Sequence, residues 1–156
     1  MKKTVLFSLL CCLFSLHAAL PENGSFTQWN GDKPADWSLL KRNDRPNTFK
    51  KIDGGILLDG MLVSKRFKLP GTTVKITLKT KSVKNFLKVY LFQYTSMNEK
   101  LFKQCGQAYD LQASSTPNTL VTTLKVGMQG QRYAAFALDG SGAEVESVMI
   151  EEMKVP

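Results

Sequence analysis

The sequence predicts an all-β protein, an antiparallel two-sheet β-sandwich, on three observations. No segment of ten or more residues keeps an apolar period of 3.6, so the chain encodes no long amphipathic helix. Strict alternation appears instead, most cleanly where Val74, Ile76 and Leu78 point one way and Lys75, Thr77, Lys79 and Lys81 the other. Short runs of this kind recur at regular spacing, each ended by Gly, Pro, Asn or Asp, as stacked antiparallel strands require.

Taken in order, the segment from Asn23 to Trp37 is a loop, broken by Gly24, Gly31 and Pro34. It holds both tryptophans, and Phe26 and Trp37 are expected to plug one end of the sandwich while Trp29 shields them. A first strand follows at Trp37 to Leu40, then a polar turn from Lys41 to Asn47. Further strands are predicted at Thr48 to Ile52, Gly55 to Leu58 and Met61 to Phe67, the last ended by Leu69-Pro70-Gly71. After the alternating stretch at Val74 to Lys81 comes Phe86 to Tyr94. There Leu87, Val89 and Leu91 form one face, and Phe86, Lys88, Tyr90, Phe92 and Tyr94 the other. Both faces are largely apolar, so the Lys88 side is either covered by a loop or an aromatic platform. Lys100 to Cys105, Tyr109 to Gln112, Leu120 to Val126 and Arg132 to Leu138 complete the pattern. In the last of these Ala134, Phe136 and Leu138 point inward and Tyr133, Ala135 and Ala137 outward. Asp139-Gly140-Ser141-Gly142 ends it, and a final strand runs from Val145 to Met153.

Residues 1–19 carry Lys2 and Lys3, an apolar stretch from Val5 to Leu16, and the small pair Ala18 and Ala19, which together read as a secretory signal of bacterial type. The stretch is shorter than the roughly 20 residues a membrane-spanning helix needs, and no later segment approaches that length. Leu10 and Cys11 precede the two early cysteines, so ordinary cleavage near Ala18 or Ala19 is expected rather than lipid anchoring. Residues 20–156 then form a single domain, expected to be secreted or periplasmic. Cys105 is the one cysteine left, which rules out a disulfide within the exported chain, and its thiol is expected to be buried.

Cleavage also removes His17, the only histidine. Ser-His-Asp and Cys-His nucleophile systems are therefore excluded, and with them the common zinc sites. Loss of Lys2 and Lys3 lowers the net charge from +8 to about +6, and the excess is uneven. From Lys41 to Lys103 there are fifteen Lys or Arg against four acids; from Gln104 to Pro156 there are three against six. Such a stripe suits nucleic acid, an anionic polysaccharide or an acidic membrane surface, or simply solvates the outer faces of strands. No nucleic-acid-binding motif appears, and export argues against such a partner.

The order Asn23-Gly24-Ser25-Phe26, Trp29, Gly31, Pro34, Trp37 resembles the start of the carbohydrate-binding jelly-roll modules of the galactose-binding-like superfamily, which open on an Asn-Gly-Gly-Phe-Glu-like segment followed by Gly-x-Pro-x-x-Trp. The Arg66 to Gly71 segment, the alternating strand at Val74 to Lys81 and the strand ending in Gln93-Tyr94 extend the likeness over nearly all of the exported chain. The resemblance implies a jelly roll that binds sugar without catalysis. It also implies a structural calcium, but this chain has Thr27 and Glu146-Ser147-Val148 where the family carries carboxylates, leaving Glu146 as the remaining candidate ligand. No other cofactor is expected.

Sugars present an apolar ring face rimmed by hydroxyls, so their sites combine flat aromatics with donors and acceptors. Lys79, Lys81, Lys88, Tyr90, Phe92 and Tyr94 are predicted to share such a face, joined by Tyr133 from a neighbouring strand. The expected ligand is a poly- or oligosaccharide, with Arg132 and the lysines favouring an anionic one. A module that docks on an envelope protein is the alternative. A lyase using Tyr133 as base beside Arg132 is a third reading, weakened by the lack of histidine and of a carboxylate pair.

Overall fold

The computed structural model describes residues 20–153; the expected export signal at 1–19 lies outside them. Ten strands form: β1 Trp29–Asn30, β2 Lys33–Pro34, β3 Trp37–Leu40, β4 Thr48–Ile52, β5 Gly55–Ser64, β6 Phe67–Lys68, β7 Thr73–Tyr94, β8 Gln104–Ser114, β9 Asn118–Lys125 and β10 Tyr133–Glu152. All pairings between them are antiparallel, and no helix occurs among the described residues. The fold is the predicted antiparallel β-sandwich, of jelly-roll type.

The sequence suggests separate short strands where the structure has three long ones. β5, β7 and β10 each run through one layer, bend, and continue in the other. A front layer has the order β3-β5-β10-β7-β8, and a back layer the order β4-β5-β10-β7-β9. β10 pairs with Phe86 to Tyr94 of β7 in front and with Val74 to Val83 behind. β5 meets β3 through Met61 to Ser64 and β4 through Gly55 to Asp59.

The bends explain why punctuation residues lie inside strands. Register slips between Ser141 and Ala143 of β10, and again opposite Glu144 and Val145, whose partners Ser82 and Thr80 pass over Lys81 of β7, so the inward-facing set changes parity at these points. Leu87, Val89 and Leu91 then face the same interior as Val74, Ile76 and Leu78, all fully buried. Asp59 pins the corner, because its Oδ1 accepts from the Gly142 amide at 2.7 Å and the Ser141 hydroxyl at 3.4 Å.

Gly60 has φ +151°, a region that L side chains rarely adopt, and a Cβ there would stand 2.9 Å from Asn47 Cα. Gly60→Ala is expected to cost about 1–3 kcal/mol, visible as a lower urea midpoint. An unchanged midpoint would show that the corner tolerates a side chain.

One lateral opening of the sandwich, between edge strands β8 and β9, is closed by Tyr109. Its hydroxyl lies 2.7 Å from the Ile76 carbonyl and 2.9 Å from that of Leu120, and donates to one of them at a time. Partial burial disfavours the phenolate and pushes the Tyr109 pKa up to about 12, from an ordinary value of 10.0. The folded-state pKa is the higher one, so this contribution is intact below pH 10 and is lost as pH rises through 12. Urea titrations from pH 9 to 12 are expected to show the wild-type advantage over Tyr109→Phe shrinking across that window. A difference that stays flat would place the phenol in water.

The aromatic opening segment packs as predicted. Phe26 and Trp37 are buried with ring centroids 5.0 Å apart. Trp29 leans on Phe49 and donates from Nε1 to the Phe26 carbonyl at 2.6 Å. Asn23, in the left-handed region at φ +54°, ties the segment down by donating to the Gln28 and Ala35 carbonyls, each at 2.8 Å.

Candidate functional site

The outer face of the front layer follows from the inner one. Because Leu87, Val89 and Leu91 are buried in the core, β7 must turn Lys88, Tyr90, Phe92 and Tyr94 outward. In register beside them, β10 presents Asp139, Ala137, Ala135 and Tyr133. β5 adds Met61 and Val63 beyond, and β8 adds Asp110, Gln107 and Cys105 on the other side.

Ala135 and Ala137 are small, outward-facing and yet 1% or less exposed. Taller side chains on both flanks recess them, Tyr90 and Phe92 on one side and Met61 and Val63 on the other. These flanking side chains close over the alanines, so the trough between the two flanks offers a ligand those side chains and not the alanines beneath them. Val63 also borders a cavity of about 360 Å³ at the β3 rim, lined with it by Asp36, Trp37, Ser38, Ser64 and Lys65.

Two connections wall the trough. At one end, the Glu99 carboxylate accepts from the Thr95 amide and hydroxyl, both at 2.6 Å, and from the Ser96 amide at 3.4 Å. These bonds, the Thr95 hydroxyl first, hold the Glu99 pKa below the usual carboxylate range. Arg66 donates to the Met97 and Glu99 carbonyls while its guanidinium lies 3.7 Å from the Tyr94 ring centroid. The loop so fixed sets Phe102 on Phe92, with centroids 4.4 Å apart and planes 9° from parallel. Tyr90 continues this row at 6.4 Å from Phe92.

At the other end, Arg42 and Arg45 from the β3–β4 connection both pair with the buried Asp139 carboxylate, and Arg45 lies 5.3 Å from the Phe86 ring centroid. Arg42 also bridges Asp44 at 2.9 Å, a hydrogen bond that lowers the Asp44 pKa.

The structure rearranges the predicted set of site residues. Lys88, Tyr90, Phe92 and Tyr133 do share this face, each half-buried. Tyr94 lies on it too but is buried beneath Arg66, so it presents no open ring; the expectation of an aromatic platform there is corrected. Phe92 is flanked by Tyr90 and Phe102, which leaves Tyr90 and Phe102 as the outer members of the row. Lys79 and Lys81 are not on this face at all. They precede the bend of β7 and belong to the back layer, where Lys79 pairs with Thr119 and Ser147, and Lys81 Nζ contacts the Asp53 carbonyl. Cys105 is exposed on edge strand β8 rather than buried, and partial desolvation raises its pKa.

Phe102, Arg66, Asp139 and the two loop arginines were not foreseen as part of the site. Phe102 sits in a Lys-Leu-Phe-Lys stretch that resembles a short strand, and only the apolar pair inside a basic loop signals a contact.

Among the described residues no three His, Cys, Asp or Glu side chains converge. Glu146 stands half-buried at a register slip between Val145 and Ser147. The residues present therefore do not supply the carboxylate set of the calcium site that the resemblance implies.

No protein-family model matches the chain, and no curated protein matches it significantly. Among solved structures it is similar to part of the enzymatically active domain of bacteriophage CBA120 tailspike protein 4, with TM-score 0.52 and 12% identity. That match covers 83% of this chain and 20% of the other, so this chain spans about a fifth of the tailspike's length. The chain is also similar to a CBM4 structure, with TM-score 0.46 and 12% identity over 85% of this chain and 96% of that one. A third match is TmCBM61 in complex with β-1,4-galactotriose, with TM-score 0.37 and 10% identity over 84% and 92%. At such identity the likeness to the tailspike is one of fold.

Proposed function

We propose that this protein is an exported, non-catalytic glycan-binding module whose ligand lies in the trough on the outer face of the front layer. The Tyr90–Phe92–Phe102 row, stacked on the outer face with Phe102 exposed and Tyr90 half-buried, carries this proposal. A sandwich with one core gains little from a second apolar face, so rings held on the outer face are surface suited to a ligand. A pyranose has an apolar face that suits the free side of Tyr90 or Phe102. Its hydroxyls would find donors and acceptors in Gln107, Ser38 and the Tyr133 phenol at the rim.

Charge narrows the ligand. The cations of this face are already matched: Arg42 and Arg45 by Asp139, Lys88 by Asp110 at 3.6 Å, and Arg66 by two carbonyls. An uncharged glycan leaves those pairs intact, whereas an anionic one must compete with them.

Titration calorimetry against one neutral and one anionic polysaccharide tests both points. Tyr90→Ala and Phe102→Ala are each expected to weaken binding of the neutral glycan about tenfold, while Tyr94→Phe leaves it unchanged. Neutral and anionic polymers both failing to bind would refute the proposal. The envelope-partner alternative would then be pursued by capture of a protein.

A further inference from the structure

Apart from Leu40 on β3 and Val121 on β9, the exposed large apolar side chains of the described residues lie on connections and a strand end at one pole. β5, β7 and β10 bend at the opposite pole of the sandwich, so their ends gather at this one. Backbone bonds fix which connections meet there: Val126 N to Thr72 O, Arg132 N to Tyr94 O, Leu69 N to Arg132 O, Lys103 N to Gln93 O and Met153 N to Thr73 O. Leu101 is 76% and Met128 68% exposed on two of these connections, and Met97 and Met153 join them at the same pole. Leu101 and Met128 are the most exposed large apolar residues in the described chain. Neither takes part in the trough.

Cations surround these tips. Lys68, Lys100 and Arg132 are exposed and Lys103 pairs only loosely with Glu99, at 3.8 Å. The acids here are Glu99, held inward by its own loop, Asp36, 3.8 Å from Lys65, Glu151, paired with Lys75, and Glu152. Protruding Leu and Met side chains among Lys and Arg match the two zones of a lipid interface, acyl chains for the tips and phosphates for the ammonium and guanidinium groups. A rigid protein partner would instead favour a continuous apolar patch with charge at its rim.

We infer that this pole docks on a lipid surface bearing anionic headgroups, with Leu101 and Met128 entering the interface and Lys68, Lys100 and Arg132 contacting phosphate. Docking at the pole leaves the trough on the side of the sandwich open. It does not depend on the glycan proposal.

Co-sedimentation of the chain from residue 20 on, which carries the whole described fold, tests this with two vesicle types: phosphatidylcholine alone, and phosphatidylcholine mixed with phosphatidylglycerol. Binding to the mixed vesicles only is expected, weakening at least tenfold between 0.1 and 0.5 M salt. The Leu101→Ser/Met128→Ser double variant should lose at least tenfold in affinity with an unchanged melting temperature, because both residues already face water. The Lys68→Gln/Lys100→Gln/Arg132→Gln variant should lose as much. No pelleting with mixed vesicles would overturn the inference, as would equal pelleting of the apolar double variant. Capture of a protein through Leu101 and Met128 without vesicle binding would overturn it too.

Discussion

Replacing Phe136 with alanine is expected to lower the unfolding free energy by about 3–5 kcal/mol, a large part of the roughly 5–15 kcal/mol that a domain of this size has. Phe136 sits on the inner side of β10, the strand shared by both layers, and is fully buried. Its ring lies 5.9 Å from Phe67, which caps the same end of the core, and its backbone amide donates to the buried Ser64 hydroxyl at 3.0 Å. The surrounding positions belong to paired strands on both flanks, Leu91 of β7 among them, and cannot close around the gap without breaking ladder bonds. The cost therefore includes the cavity as well as the lost transfer energy. Urea unfolding should show a lower midpoint with an unchanged slope. Val121→Ala, on the exposed side of β9, should change stability by less than about 0.5 kcal/mol. A loss below about 1 kcal/mol at Phe136 would mean that the two layers do not pack through this ring.

Much of this core was legible. Alternation alone separated Phe136 and Leu138 from Ala135 and Ala137, and set Val74 and Leu87 inside. The strands Trp37–Leu40 and Thr48–Ile52 match their predicted limits. Continuity was not legible, because glycine serves equally at the end of a strand and at a bend within one. Gly140 and Gly142 look like a hairpin stop, yet β10 runs through them for the sake of Asp59 and the layer change. Once two bends merge four expected strands into β7 and β10, a face predicted as one becomes two: Lys79 and Lys81 fall behind the sandwich while Tyr90 stays in front. Coverage was equally hidden. Arg66 and Phe102 reach the aromatic row from loops whose path depends on tertiary hydrogen bonds, and no period in the sequence encodes those. Cys105 fails for a related reason, since burial depends on whether β8 is an edge strand, and pairing order is not a local property.

Asp139→Ala is the second large effect, expected to cost about 3 kcal/mol. Asp139 points outward from β10, the middle strand of the front layer, where its neighbours Ala137 and Met61 are apolar, and its side chain is only 8% exposed. Water can do little to solvate it, so the carboxylate depends on Arg42 and Arg45. These same arginines depend on it in turn, Arg45 more than Arg42 because its side chain is the less exposed, 20% against 37%. Removing the acid leaves two cations facing each other beside an apolar floor. Removing all three charges at once, as Arg42→Met/Arg45→Met/Asp139→Leu, should recover most of the loss, since a well-packed apolar set avoids the desolvation cost altogether. Glycan binding separates the two variants. Both lose the clamp that fixes the β3–β4 connection as a wall of the trough, so both should bind the neutral polysaccharide several-fold more weakly even where stability is restored. If the triple variant is as unstable as Asp139→Ala, the cluster acts through hydrogen bonds to the connection rather than through charge. If it binds like wild type, that wall takes no part in holding the ligand.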